Sequence, residues 1–218
     1  QGPLYIANMW KRAKGFFDVV AYNGNATARV IPHSLGVVPE MIWVKKRSAS
    51  KHWSVYHKDL TTTAQFLSLN NDWADTSNSN FWNNGVDHTS TTFSIHTTGY
   101  VNSAASTYIA YLFATLAGIS KVGSYTGNGS SQTIACGFSA GSRFILIKRT
   151  DAVGDWYVFD SLNGIVAGND PYLSLNNTTA LVTSYDSVDP HNSGFIVNQV
   201  SATDINVSSG TYIFYAIA

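Results

Sequence analysis

The sequence predicts an all-β protein made of two tandem β-sandwich modules of jelly-roll character, of about 100 residues each. Three observations carry this. Ser, Thr and Asn account for 63 of 218 residues, while Glu occurs once, at Glu40. Helices favour Glu, Lys and Ala, whereas strands and turns favour Thr, Val, Ile, Tyr and Asn-Gly pairs. Apolar runs of strand length recur between turn signals, and no segment holds a helical stripe over three turns. Above all, the chain repeats itself.

The repeat sets the element order. Val20-Ala21-Tyr22-Asn23-Gly24-Asn25 matches Gly123-Ser124-Tyr125-Thr126-Gly127-Asn128 at an offset of 103. At the same offset Ile42-Trp43-Val44-Lys45-Lys46 matches Ile145-Leu146-Ile147-Lys148-Arg149, and Trp53-Ser54-Val55-Tyr56 matches Trp156-Tyr157-Val158-Phe159. Leu67-Ser68-Leu69-Asn70-Asn71 returns at 173–177, offset 106, and Thr107-Tyr108-Ile109 at 211–213, offset 104. Tyr5-Ile6-Ala7-Asn8-Met9-Trp10 aligns with Tyr108–Phe113, so it reads as the last strand of a preceding repeat. The expected division is a leftover strand at 1–14, module one at 15–117 and module two at 118–218.

In module two, strands are expected near 119–125, 132–135, 143–149, 155–160, 171–175, 194–199 and 211–217. Phe144-Ile145-Leu146-Ile147 is continuously apolar, as a centrally buried strand requires. Asn23-Gly24 and Asn128-Gly129 are hairpin-turn signals. The short link Ala114-Thr115-Leu116-Ala117-Gly118 predicts stacked modules in fixed orientation. Trp53 and Trp156, in equivalent places, are expected in the core.

Composition narrows function. Charged residues make up 12% of the chain, against about 25% in an ordinary soluble domain. A net charge of zero argues against general nucleic-acid binding, which needs clustered cations. The charge is uneven: 9 basic and 6 acidic residues at 1–117, 4 and 7 at 118–218. One cysteine, Cys136, excludes an internal disulfide framework and a multi-cysteine zinc site. No apolar run is long enough to span a bilayer as a helix. The Gln-Gly-Pro start reads as a fragment or processed product.

The pattern Tyr125-Thr126-Gly127-Asn128-Gly129, Gly137-Phe138, a hydrophobic strand ending in Lys148-Arg149, Trp156-Tyr157-Val158-Phe159-Asp160 and Gly210-Thr211-Tyr212-Ile213 resembles repeat modules of bacteriophage tail and tail-fibre proteins. The likeness covers essentially the whole chain. It implies a structural or host-attachment role in a virion, beside other virion proteins and frequently as a homotrimer. Its motifs are structural, so they imply a module type rather than an activity. Module one departs from it, with Asn23 in place of Thr126 and Tyr56-His57 in place of Phe159-Asp160.

Candidate chemistry is sparse. Gly137-Phe138-Ser139-Ala140-Gly141 fits the nucleophile-elbow pattern by letter, but a strand follows where that motif needs a helix. The six histidines form no metal-binding spacing, and no metal or cofactor is expected. Asp72 with Asp75, and Asp186 with Asp189, could supply a glycosidase pair. Asp87 and Asp189 recur between the repeats, where a turn role fits them better than a calcium site. Lys45, Lys46, Arg47, Lys148 and Arg149 could contact anionic glycans, or simply end strands in solvent. Trp73, Phe81 and Trp82, with Asn83 and Asn84, sit in a polar stretch without aromatic counterparts in module two. They could stack on glycans or pack against a neighbouring module or subunit. The expectation is a non-enzymatic virion appendage protein that contacts host surface glycan; the alternatives are a carbohydrate-binding module and, behind it, a polysaccharide hydrolase.

Overall fold

The structure is a computed structural model that describes residues 9–82 and 85–218. The described residues are all-β. The first set of strands is β1 (Phe17–Asn23), β2 (Arg29–Pro32), β3 (Met41–Lys46), β4 (Ser54–His57), β5 (Gln65–Ser68), β6 (Thr76–Ser77), β7 (Thr92–Ile95) and β8 (Thr107–Phe113). The second is β9 (Ser120–Thr126), β10 (Gln132–Ala135), β11 (Phe144–Arg149), β12 (Trp156–Asp160), β13 (Tyr172–Ser174), β14 (Val188–His191), β15 (Gly194–Val197) and β16 (Thr211–Ile217). The first set forms a six-stranded sheet, β1-β8-β3-β4-β5-β6, and a small sheet, β2-β7. The second forms a five-stranded sheet, β13-β12-β11-β16-β9, and a small sheet, β10-β15-β14.

Sequence repetition becomes repeated topology. In each large sheet the first strand pairs antiparallel with the last, at the same register: Tyr22 opposite Tyr108, and Tyr125 opposite Tyr212. The two tyrosines of each pair stack, with centroids 5.2 Å and 4.9 Å apart. Such cross-strand aromatic pairs lock register.

Each large sheet is buried on both faces. On β3, Ile42 and Val44 enter the core beneath the small sheet, while Met41 and Trp43 point the other way. On β11, Ile145 and Ile147 face one core and Phe144 and Leu146 the other. A strand alternates its side chains, so a two-sided core demands an uninterrupted apolar run. The second core draws seven buried residues from each half of the chain. The molecule is therefore four layers deep: small, large, large and small sheet.

Several local expectations need correction. Asn23-Gly24 does not turn a hairpin, because β1 pairs with β8 and β2 with β7. Its glycine serves close approach instead: a Cβ on Gly24 would lie 2.1 Å from the Ser103 carbonyl oxygen, and one on Gly127 2.2 Å from that of Val207. Strand β14 was not anticipated; Pro190 and two polar residues disguise it. Of the leftover strand, residues 1–8 lie outside the described residues. Residues 9–12 form no strand, and Ala13 makes a single bridge to Phe17. The same small turn recurs as the bridge between Leu116 and Ser120 in the link.

A paired buried asparagine was also missed. Asn102 accepts from the Asn25 N–H (2.9 Å) and donates to the Thr27 and His96 carbonyls. Asn206 accepts from the Asn128 N–H (3.0 Å) and donates to the Ser130 and Val197 carbonyls. Each satisfies the backbone of the crossing between large and small sheets, where no ladder can.

Candidate functional site

The most constructed feature is the seam where the two large sheets meet. Its centre is aromatic. Trp10 packs against Phe17, Trp43, Phe113 and Phe144 with centroids 5.8–6.2 Å apart. Phe113 touches Tyr215 at 5.0 Å, which ties β8 to β16. Edge-on and tilted rings dominate, as ring quadrupoles favour.

Polar bonds cross the seam as well. The Trp156 Nε1–H donates to the Ser68 carbonyl at 2.9 Å. Lys148 Nζ donates to the Gly154 carbonyl at 2.7 Å and, across the seam, to that of Asp72 at 3.0 Å. The Gly154 N–H also reaches the Asp72 carbonyl, and the Asp75 N–H that of Thr150, both at 2.9 Å. Loop 69–75 is thus clamped onto the β11–β12 turn. Burial pushes the Lys148 ammonium down to about 8, opposed by the Asp72 and Asp155 carboxylates.

His57, at the end of β4, is also fully buried. Burial pushes its imidazole down to about 3, opposed by the Phe214 backbone. Its Nδ1 accepts from the Asp59 N–H at 3.2 Å, which marks the neutral ring. The repeat counterpart, Asp160, instead caps a turn through the N–H groups of Leu162 and Asn163.

The basic candidates do not form an anion-binding patch. Lys148 is wholly buried, with two of its three donors on carbonyls. Lys46 is buried with its ammonium 5.9 Å from the Tyr108 ring. Lys45 bonds the Lys51 carbonyl and lies 5.8 Å over Trp53. Arg149 is engaged by Asp151 through two bonds of 3.0 and 3.1 Å. Arg47 is exposed. A strand buried on both faces turns even its terminal cations inward, a consequence hidden until the second core is seen.

The aromatic candidates divide. Phe81 and Trp82 are buried in the core between β3/β8 and the small sheet, where Phe81 stacks on Phe66 at 3.8 Å. They cannot stack on a glycan. Trp73 is 51% exposed and meets the edge of His52 at 5.4 Å. Asn83 and Asn84 lie outside the described residues. Trp156 is core, while its counterpart Trp53 is half-buried at the seam's rim.

The remaining motifs take structural places. Ser139 is exposed on a turn between strands β10 and β11, not at a strand–helix elbow. Asp186 and Asp189 both accept from the Asn198 amide, at 2.9 and 2.8 Å. Asp75 accepts from Gln65 at 2.6 Å, and burial, with Asp151 nearby, raises its carboxyl. Among the described residues, no three metal-capable side chains converge.

Fold and seam together define a class: an all-β sandwich protein whose two large sheets are fused through an internal aromatic joint. The chain belongs to a family described as a domain of unknown function, DUF7483, which matches residues 9–218. No curated protein and no solved structure matches it.

Proposed function

We propose that this chain is a non-enzymatic structural unit of a bacteriophage virion appendage, of the tail-fibre kind, exposed outside the cell. The observation that supports this most is the seam. The two large sheets share a core of buried aromatic and aliphatic side chains and are clamped by cross-seam bonds from Trp156, Lys148, Gly154 and Asp75. Such a joint suits a part that works by holding shape. Low charge and abundant hydroxyl and amide side chains suit an exposed β surface. The likeness of the sequence repeats to tail-fibre modules points the same way.

The test is location. Antibodies raised against the purified chain should decorate a phage tail or fibre in immuno-electron microscopy of particles whose genome encodes it. Labelling confined to infected-cell lysate, with bare particles, would overturn the reading. Host-glycan contact now rests on Trp73 alone among the described aromatic candidates. A glycan array with the wild type and Trp73→Ala decides it: binding lost in the variant supports contact, and no binding to any glycan removes it.

A further inference from the structure

The two halves differ in charge where β3 and β11 begin. Glu40 precedes β3. Its N–H bonds the Phe113 carbonyl at 2.9 Å, and its own carbonyl accepts from the Lys58 N–H at 2.8 Å. Arg143 precedes β11 in the same frame: its N–H bonds the Ile217 carbonyl at 2.7 Å, and its carbonyl accepts from the Ser161 N–H at 2.8 Å. The repeat offset of 103 thus pairs Glu40 with Arg143 and Lys58 with Ser161. The side chains behave differently. Glu40 holds the Lys58 ammonium at 2.8 Å and the Thr115 N–H at 2.6 Å, so the first half satisfies its own charge. In the second half the carboxylate has become a guanidinium and the ammonium a hydroxyl. Among the described residues nothing pairs with the Arg143 side chain.

Arg143 lines a groove of about 780 Å³, within the size range of ligand sites. Its wall is built in advance. The turn between β10 and β11 is held to the β14–β15 turn by backbone bonds of 2.7–3.2 Å from the N–H groups of Cys136, Phe138, Gly141 and Ser142. Gly141 permits this approach: its φ is +80°, and a Cβ there would lie 3.1 Å from the His191 carbonyl oxygen. Phe138 and Ile165 give the groove apolar surface, and Ser161, His191 and Asn192 give it polar groups. The Ser161 hydroxyl and the Asn192 side-chain amide bond no other described residue. His191 Nδ1 accepts from the Ser193 N–H at 3.3 Å, so the neutral ring carries its proton on Nε2, free to donate.

We propose that this groove binds an acidic sugar, with the carboxylate of a uronic- or sialic-type residue on Arg143. A planar guanidinium matches a carboxylate through two parallel N–H···O bonds. The first half carries that carboxylate itself, in Glu40. The second leaves its cation open to one from outside. Sugar hydroxyls meet Ser161, Asn192 and His191, and the C–H face of the ring meets Phe138 and Ile165. One cation beside several neutral polar groups and an apolar surface suits a charged sugar better than a bare inorganic anion. The site stands on this groove and does not rest on the virion reading. Nor does it involve Trp73, whose loop is clamped to the β11–β12 turn at the opposite end of β11.

Isothermal titration calorimetry tests it with a panel of uronate- and sialate-containing oligosaccharides, each beside its carboxyl methyl ester. Wild type should bind at least one of the acids, and the matching ester about tenfold or more weakly. Arg143→Gln should weaken the acid to the level of the ester and leave the ester unchanged. Ser161→Glu puts a carboxylate beside Arg143, as Glu40 stands beside Lys58, and should weaken the acid likewise. Both positions are exposed, and circular dichroism checks that each variant folds. Trp73→Ala should bind as wild type does. No binding to any acid of the panel overturns the proposal, as does equal binding of acid and ester. So does a loss in Trp73→Ala without one in Arg143→Gln, which would place the sugar at the other end of β11.

Discussion

Acid should loosen this protein, and His57 carries the largest share. His57 has no accessible side-chain surface, and burial holds its imidazole near 3. In the unfolded chain it titrates near the ordinary value of about 6.5. A folded-state value below the unfolded one means that the unfolded chain binds the extra proton. Stability therefore falls as pH drops from about 6.5 to about 3, then levels off. At pH 5 the cost is about 2 kcal/mol, a large share of the total for a domain. His57→Phe keeps a ring of similar size and removes the titration. Urea unfolding at pH 7 and pH 5 should show wild type losing about 2 kcal/mol more than the variant between the two. His88, which burial lowers to about 4, contributes to both proteins and cancels. Equal losses in the two proteins would refute the reasoning. So would an NMR titration placing the folded His57 near 6.5.

Other perturbations have equally direct outcomes. Trp156→Phe deletes the indole bond to Ser68 and should cost about 1–2 kcal/mol in chemical denaturation. Gly24→Ala and Gly127→Ala each press a Cβ into a backbone carbonyl and should destabilise by more than about 2 kcal/mol; Gly99→Ala, whose nearest neighbour is a serine hydroxyl at 3.0 Å, should cost less in a thermal melt. Asn206→Ala empties a buried position and removes its bonds to the Asn128 N–H and to the Ser130 and Val197 carbonyls, and about 2–3 kcal/mol should be lost by the same assay.

Strand content and the inward sides of the strands were legible in the chain because burial writes itself as period-two or unbroken apolar runs. Phe144-Ile145-Leu146-Ile147 announced a strand covered on both faces. What covers its second face was not legible, since the partner lies across the seam. That gap explains Lys148, which reads as a surface cation and is in fact a buried clamp. Phe81 and Trp82 misled for a similar reason. Polar neighbours suggested a surface, but a loop can turn two rings inward while its amides stay in water. Trp73, in the same stretch, does face solvent. Asn102 and Asn206 were invisible because single asparagines are common here, and only the fold shows that both sit at the same crossing.

The seam has a consequence for how the chain could change over time. It pairs like with like: Trp43 and Leu146, Met41 and Phe144, and Val55 and Val158 are repeat counterparts that share one core. Between separate identical subunits, any substitution at such a contact appears on both sides at once. Joined by residues 114–118, the two sides vary independently. Trp43 can stay large while Leu146 becomes small, and one end can close on Trp156 while the other stays open beside Trp53. Covalent linkage thus turns a contact that would have to remain symmetric into one free to specialise.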